Sequence, residues 1–103
     1  MLRHLVLWKL KPEADGRTAA ENGLILKHRL LALHQAIPEI KAMKVALNMP
    51  RSAYANYDAV LDLFFDDYQA LERYQTHPKH AELARWIATI REERASVDYE
   101  TED

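Results

Sequence analysis

The chain has 103 residues, contains no cysteine and carries a formal net charge of −2. Its length suits one domain, residues 1–103, with a single hydrophobic core. The absence of cysteine excludes disulfides, thiolate catalysis and cysteine-bound metals. The charge creates no field that would attract a polyanion, so we expect no nucleic-acid partner. No segment approaches the roughly 20 apolar residues of a membrane span, and the N-terminus lacks a signal-peptide pattern, so we expect a soluble protein of the cytoplasm.

The first predicted element is a β-strand at residues 2–11, because its side chains alternate between two faces. One face carries Leu2, His4, Val6, Trp8 and Leu10, and the other carries Arg3, Leu5, Leu7, Lys9 and Lys11. Both faces are apolar in the middle of the strand, which is typical of a strand that is covered on both sides. We therefore expect a layer of other residues against each face.

A helix and two strands are predicted next. Apolar residues recur at three- and four-residue steps over residues 19–37, which indicates an amphipathic helix that ends at Pro38. Residues 40–48 are predicted to form a strand, and the polar segment MPRSAYAN links it to another strand at residues 57–65. One face of this last strand carries Ala59, Leu61, Leu63 and Phe65.

Two short helices and a final strand complete the chain. Asp66 or Asp67 can cap the first helix, and Asp66 has capping-box spacing to Gln69. Pro78 suits the first position of the second helix. The apolar residues that these helices direct inward are Leu71, Tyr74, Leu83, Trp86, Ile87 and Ile90. The closing segment RASVDYET alternates again and predicts the last strand.

The order of the predicted elements is βαββαβ, which is the α+β, ferredoxin-like split βαβ arrangement. In this fold the helices cover one face of a four-stranded sheet and leave the other face open. Because the first strand has two apolar faces, we expect a second copy of the chain to pack against the face of His4, Val6 and Trp8 and form a homodimer. Two sheets packed in this way form a dimeric α+β barrel whose interior can hold side chains or a ligand.

Four segments together resemble the stress-responsive A/B barrel domain (Dabb) family: RHLVLWKLK, IPEIKAMKVALN, NYDAVLDLFFDDYQALERYQTHPKH and the closing VDY. The most specific part is the YxxHPxH element in combination with RH at the start of the first strand. The resemblance covers residues 2–101 and implies a dimeric α+β barrel. Family members differ in function. Plant members include heat-stable stress proteins and a polyketide cyclase that forms olivetolic acid without a metal or an organic cofactor.

The resemblance to that cyclase implies candidate site residues in this chain. Its base histidine corresponds to His80, its assisting tyrosine to Tyr74, and the histidine of its first strand to His4. Another histidine of the cyclase pocket corresponds to Ala59, so this chain departs from the cyclase at that position.

The chemistry of the two candidate catalytic residues leaves two readings open for each. His80 lies in the first turn of a helix, where the helix dipole disfavours an imidazolium, so the ring can accept a proton or simply close the barrel mouth through hydrogen bonds. Tyr74 can donate to an enolate oxygen or pack in the core. His77, just before Pro78, is expected to cap the helix at the surface.

Four further residues are expected to line the interior and contact a ligand: His4, Val6, Trp8 and Leu61. A buried imidazole needs a hydrogen-bond partner, which a tyrosine or a ligand could supply to His4. Trp8 either forms the floor of the interior or fills it. We predict no metal site, because His28 and His34 lie on a solvated side of the long helix without the spacing of a ligand pair.

Three functions fit these residues to different degrees. The first is a stress-associated homodimer that binds a small hydrophobic or carbonyl compound without turnover. The second is a cofactor-free cyclase or lyase that forms an enolate, with His80 as the base and Tyr74 as the assisting acid. The third is an oxygenase like other dimeric α+β barrels, which the absence of a haem axial-ligand system disfavours. We rank ligand binding first and expect no cofactor.

Overall fold

The computed structural model describes residues 1–49 and 56–102, and its elements follow the predicted order. The strands are β1 (Leu2–Leu10), β2 (Glu13–Ala14), β3 (Arg17–Thr18), β4 (Ala42–Leu47), β5 (Ala59–Phe65) and β6 (Arg91–Glu100). The helices are α1 (Ala19–Ala36), α2 (Tyr68–Thr76) and α3 (Pro78–Ile90). Most of the predicted link between β4 and β5, residues 50–55, lies outside the described residues.

Four strands form one antiparallel sheet in the order β4-β5-β1-β6. β1 is therefore a central strand, with β5 on one side and β6 on the other. Every second residue of β1 and of β5 is buried, because the three helices pack against a single face of the sheet. This confirms the predicted ferredoxin-like α+β fold. Within one chain the sheet is open rather than closed into a barrel.

The two faces of β1 have different surroundings. His4, Val6 and Trp8 are at most 4% exposed and lie beneath the helices, whereas Leu5 and Leu7 are half-buried on the open face. The expectation that a second copy covers the face of His4, Val6 and Trp8 is therefore wrong, because helices of the same chain cover it. Alternation separates the two faces of a strand, but it does not show which face the helices take when both are apolar.

α1 has a defined beginning and end. At its start the Thr18 hydroxyl accepts a hydrogen bond from the Glu21 amide at 3.2 Å, and the Glu21 carboxylate accepts one from the Thr18 amide at 2.9 Å. This reciprocal pair is a capping box. At its end the Ile37 amide donates to the Leu33 carbonyl, one residue before Pro38, as predicted.

A small hairpin of β2 and β3 precedes α1 and was not predicted from the sequence. Its turn is Asp15–Gly16, and both residues have positive φ angles, 54° and 73°. Asp-Gly is a preferred pair in two-residue hairpin turns, so the signal was present in KPEADG. The buried Asn22 amide group donates to the Ala14 carbonyl at 2.9 Å and joins the hairpin to α1.

The junction between α2 and α3 lies at His77–Pro78, as predicted. α2 begins after Asp67, whose carboxylate accepts from the Ala70 amide at 2.9 Å, so Asp67 rather than Asp66 is the cap. His77 ends α2 and caps α3, with Nδ1 accepting from the Lys79 amide at 3.1 Å. Pro78 is the first residue of α3, where its missing amide hydrogen costs no helical bond. The junction therefore brings residues before and after it close together.

Candidate functional site

A cavity of about 350 Å³ lies between the sheet and the helices, and we call it the sheet–helix cavity. The sheet contributes Val6, Trp8 and Leu61. The helices contribute the apolar residues Leu30, Leu33, Leu83, Ala84, Ile87 and Ala88. Its polar lining residues are His4, Tyr74, His80, Arg91 and Arg94. The cavity thus combines apolar walls with a small number of groups that can hydrogen-bond.

Three aromatic rings form the polar centre of the cavity. The Tyr74 ring centroid lies 4.5 Å from that of His80 and 6.2 Å from that of His4. The reversal of the chain at His77–Pro78 produces this approach, since Tyr74 is on α2 and His80 is on α3. Convergence of Tyr74 with His80 required such a turn, and the structure contains it.

Tyr74 belongs both to the core and to the cavity. It is 1% exposed, and its ring packs against Phe65 at a centroid distance of 5.2 Å. Its hydroxyl makes no hydrogen bond to a described residue. Burial raises the pKa of Tyr74 well above its usual range, and the positive charge of Arg94 opposes this only in part. The phenol therefore stays protonated near neutral pH and is available as a donor.

The surroundings of His80 keep its imidazole neutral. Burial lowers its pKa, the hydrogen bond to the Gln75 carbonyl opposes this effect, and the nearby His4 and Arg94 lower the pKa further. Nδ1 lies 3.0 Å from the Gln75 carbonyl oxygen. A carbonyl only accepts, so Nδ1 carries the proton and Nε2 is left as an acceptor. His80 can therefore receive a proton from a bound molecule.

His4 has a partner that the sequence did not reveal. Its Nδ1 is hydrogen-bonded to the Asp98 carboxylate, and the two residues lie directly opposite each other on β1 and β6. Sequence alternation placed His4 on an inward face, but only the register of two strands 94 residues apart in sequence brings Asp98 to it. The buried imidazole thus has the partner that it was expected to need.

The structure brings the six candidate residues to one cavity: His4, Val6, Trp8, Leu61, Tyr74 and His80 all line it. The location differs from the expected one. We expected an interior between the sheets of two subunits, but the cavity lies between the sheet and the helices of one chain. The reason is again that the helices, not a second copy, cover this face of β1.

Three other residues considered from the sequence, Ala59, His28 and His34, do not line the cavity. Ala59 lies opposite Trp8 in the β1–β5 pair and is buried, so it contributes no polar group. His28 and His34 are exposed on α1. Within residues 1–49 and 56–102, no three His, Cys, Asp or Glu side chains are arranged to hold a metal ion.

Two polar lining residues were not identified from the sequence, Arg91 and Arg94 of β6. Arg94 is exposed, as are Ala84 and Ala88 of α3, so these residues mark the opening of the cavity. In the sequence the two arginines belong to the charged run REER, which resembles an ordinary solvated segment. Only the packing of β6 beside α3 places their side chains at the opening.

An open four-stranded antiparallel sheet with helices on one face defines a ferredoxin-like α+β domain. The description "Stress responsive A/B Barrel Domain" (Dabb) belongs to the family whose profile matches residues 2–101. This chain is a member of the Dabb family. No helix of the described part is long and apolar enough to cross a membrane.

Solved structures with the same fold include two bacterial proteins of unknown function, each described as dimeric and ferredoxin-like. The one from Bacteroides fragilis is 32% identical, with a TM-score of 0.79 and coverage of 97% of this chain and 95% of that chain. The one from Thermobifida fusca is 26% identical, with a TM-score of 0.81 and coverage of 97% and 90%.

A hydroxynitrile lyase from Passiflora edulis also has this fold. It is 15% identical, with a TM-score of 0.80 and coverage of 99% of this chain and 94% of that chain, so the similarity concerns the fold alone. Among curated proteins, none matches the sequence significantly.

The lowered pKa of His80 predicts a pH-dependent stability. As pH falls, the unfolded chain binds a proton at this position before the folded chain does. The stability that neutral His80 provides should therefore be complete above about pH 6.5, the ordinary histidine value, and should decrease below it. Urea unfolding followed by circular dichroism over a pH series measures this. His80→Gln should flatten the decrease, whereas His28→Gln at an exposed site should not. Identical slopes for wild type and His80→Gln would contradict the prediction.

Proposed function

We propose that this protein is a homodimer that binds a small hydrophobic or carbonyl compound in the sheet–helix cavity. The observation that carries the proposal is the lining of the cavity, in which apolar walls surround polar rings with unused hydrogen-bonding capacity. The proposal includes a role associated with stress, which the description of the family supports. It also includes a cytoplasmic location, with which the absence of cysteine agrees.

The size of the cavity and the chemistry of its lining both favour binding of a small molecule. Its volume of about 350 Å³ falls at the lower end of the range of roughly 300–1,000 Å³ that is common for small-molecule sites. Such sites are mainly apolar and contain a few polar groups that orient the ligand. A carbonyl oxygen could accept from the Tyr74 hydroxyl, since Tyr74 lines the cavity.

Ligand binding can be tested by closing the opening of the cavity. A panel of neutral aromatic and aliphatic carbonyl compounds is screened for a rise in melting temperature. Ala88→Phe should weaken binding of a positive compound by about tenfold or more, because the new ring occupies the opening. Ala32→Phe, on an exposed face of α1 outside the cavity lining, is the matched control. The proposal fails if no compound binds or if Ala88→Phe binds as tightly as the control.

The open face of the sheet supports the homodimer. The strand registers place Leu5, Leu7, Val60, Phe64, Val97 and Tyr99 together on this face. Val97 is 50% exposed and Tyr99 is 39% exposed in the single chain. A contiguous exposed apolar surface is typical of an interaction site. The relatives described as dimeric favour a second copy of the chain as the occupant.

Polar groups on the same face are paired within the chain. Arg3 donates to both oxygens of Asp62, at 2.7 and 2.6 Å, and to the Tyr99 hydroxyl at 2.5 Å. Its guanidinium is therefore largely satisfied before any subunit approaches. Such a paired cluster can be covered by a second subunit with less loss of hydration than isolated charges would suffer.

The dimer proposal predicts different effects of two substitutions. Leu7→Arg should convert the dimer to a monomer, because it places an unpaired charge in the middle of the open face. Leu31→Arg introduces the same charge on the exposed surface of α1 and should leave the dimer intact. Sedimentation velocity over a series of concentrations, with circular dichroism to verify folding, separates the two results. A wild-type monomer, or a Leu7→Arg dimer of unchanged affinity, would exclude this interface.

The geometry of Tyr74 and His80 favours a second candidate function, a cofactor-free cyclase or lyase. His80 Nε2 would remove a proton from a carbon next to a carbonyl group, and the C–H electron pair would form an enolate. The Tyr74 hydroxyl would donate to the oxygen on which the negative charge develops. The neutral imidazole and the protonated phenol are the forms that this step requires. The cyclase pocket has a further histidine at the position where this chain has Ala59. We therefore rank ligand binding above catalysis.

Enolate formation can be measured as exchange of α-hydrogens for deuterium in a bound carbonyl compound. In deuterated buffer the wild type should catalyse this exchange, and the rate should fall as His80 is protonated, because an imidazolium cannot accept a proton. His80→Gln should abolish the exchange, and Tyr74→Phe should slow it by about 100-fold through loss of one donor. His77→Asn keeps a capping side chain and should retain it. Exchange no faster than in buffer would eliminate the enzyme candidate without affecting ligand binding.

A further inference from the structure

The opening of the sheet–helix cavity carries two guanidinium groups. Arg94 lies opposite Trp8 in the β1–β6 pair, so both side chains project from the face that the helices cover. Arg91 is the first residue of β6, directly after α3, and lies opposite the buried Leu10. Both arginines line the cavity. The opening is thus positively charged, whereas the interior walls are apolar.

Three arginines of the described residues have carboxylate partners, whereas Arg91 and Arg94, like Arg29 and Arg85, have none. Arg3 is paired with Asp62, Arg17 with Asp15 and Arg73 with Glu39. Among the residues that the structure describes, neither Arg91 nor Arg94 has a carboxylate partner within 4.0 Å. The Arg94 guanidinium donates to the neutral Ser96 hydroxyl at 3.2 Å.

The nearest acid on the same side of β6 is already engaged. Asp98 projects toward the helices like Arg94, and its carboxylate binds His4. One of its oxygens is therefore engaged, and the carboxylate makes no ion pair with Arg91 or Arg94. The charge of Arg94 also acts inside the cavity, since it contributes to the lowered pKa of His80 and partly opposes the raised pKa of Tyr74. An anion at the opening would meet donors without competition from Asp98.

We propose that the natural ligand is an amphipathic carboxylate, whose apolar body fills the sheet–helix cavity and whose carboxylate binds Arg91 and Arg94 at the opening. This inference rests on the proposed ligand-binding function and specifies the chemical class of the ligand. Guanidinium groups present planar pairs of donors that match the two oxygens of a carboxylate. Tyr74 is protonated and His80 unprotonated, so neither side chain adds a positive charge inside the cavity that would draw the anion inward.

The test compares octanoate with octanol, which has the same apolar chain and no charge, and with octyl phosphate. Isothermal titration calorimetry on the wild-type protein should show octanoate binding about tenfold or more tightly than octanol, because charged hydrogen bonds are stronger than neutral ones. Added salt should weaken octanoate binding and leave octanol binding unchanged.

Arginine variants identify the groups responsible. Arg94→Gln and Arg91→Gln should each reduce octanoate affinity by about tenfold and leave octanol affinity unchanged. Arg85→Gln, which removes an exposed arginine of α3 outside the cavity lining, is the charge-matched control and should bind octanoate as the wild type does. Melting curves of the variants verify that β6 remains folded.

The possible outcomes distinguish failure of the carboxylate site from failure of the proposed ligand-binding function. Equal affinity for octanoate and octanol, or equal losses in Arg85→Gln and Arg94→Gln, would overturn the carboxylate site while leaving ligand binding intact. Tighter binding of octyl phosphate would overturn the choice of carboxylate. Failure of the folded protein to bind octanol, octanoate and the neutral carbonyl panel would overturn both proposals.

Discussion

The central position of β1 is the constraint on which the rest of the structure depends. Hydrogen bonding to β5 on one side and β6 on the other fixes each of its side chains in register against two neighbours. His4, Val6 and Trp8 must then face the helices, while Leu5 and Leu7 must face the open side. The sheet–helix cavity and the proposed subunit interface are therefore opposite surfaces of one strand. A shift of β1 by one residue would exchange them.

The polar groups of the cavity are neutral in the interior and charged at the opening. Tyr74 is buried and His80 is partly buried, and burial favours the neutral form of both side chains. Neutral donors and acceptors cost far less free energy to bury than charged groups. The charged groups, Arg91 and Arg94, lie at the opening, where the guanidinium of Arg94 stays exposed to water. This gradient fits a molecule with one apolar end and one polar end.

Much of the fold was predictable because local signals agreed with one another. Alternation identified the four main strands, the apolar stripe and Pro38 identified α1, and the order of the elements identified the ferredoxin-like class. The choice between Asp66 and Asp67 as the cap of α2 was not decided locally, since both residues have the required side chain. The Asp15–Gly16 hairpin was detectable from its turn residues but was too short to show alternation.

The sequence by itself determined the βαββαβ order, the family and the residue types that a site would use, because these depend on local periodicity and short motifs. Only the tertiary structure decided which face of β1 the helices cover, since both faces are apolar. It also decided that Tyr74 and His80 meet, because their approach depends on the angle at which the chain turns between α2 and α3. The partnership of His4 with Asp98 and the placement of Arg94 depend on strand register, which joins residues far apart in the chain. Register and packing are non-local, and for that physical reason the sequence named most of the site residues but not where they assemble.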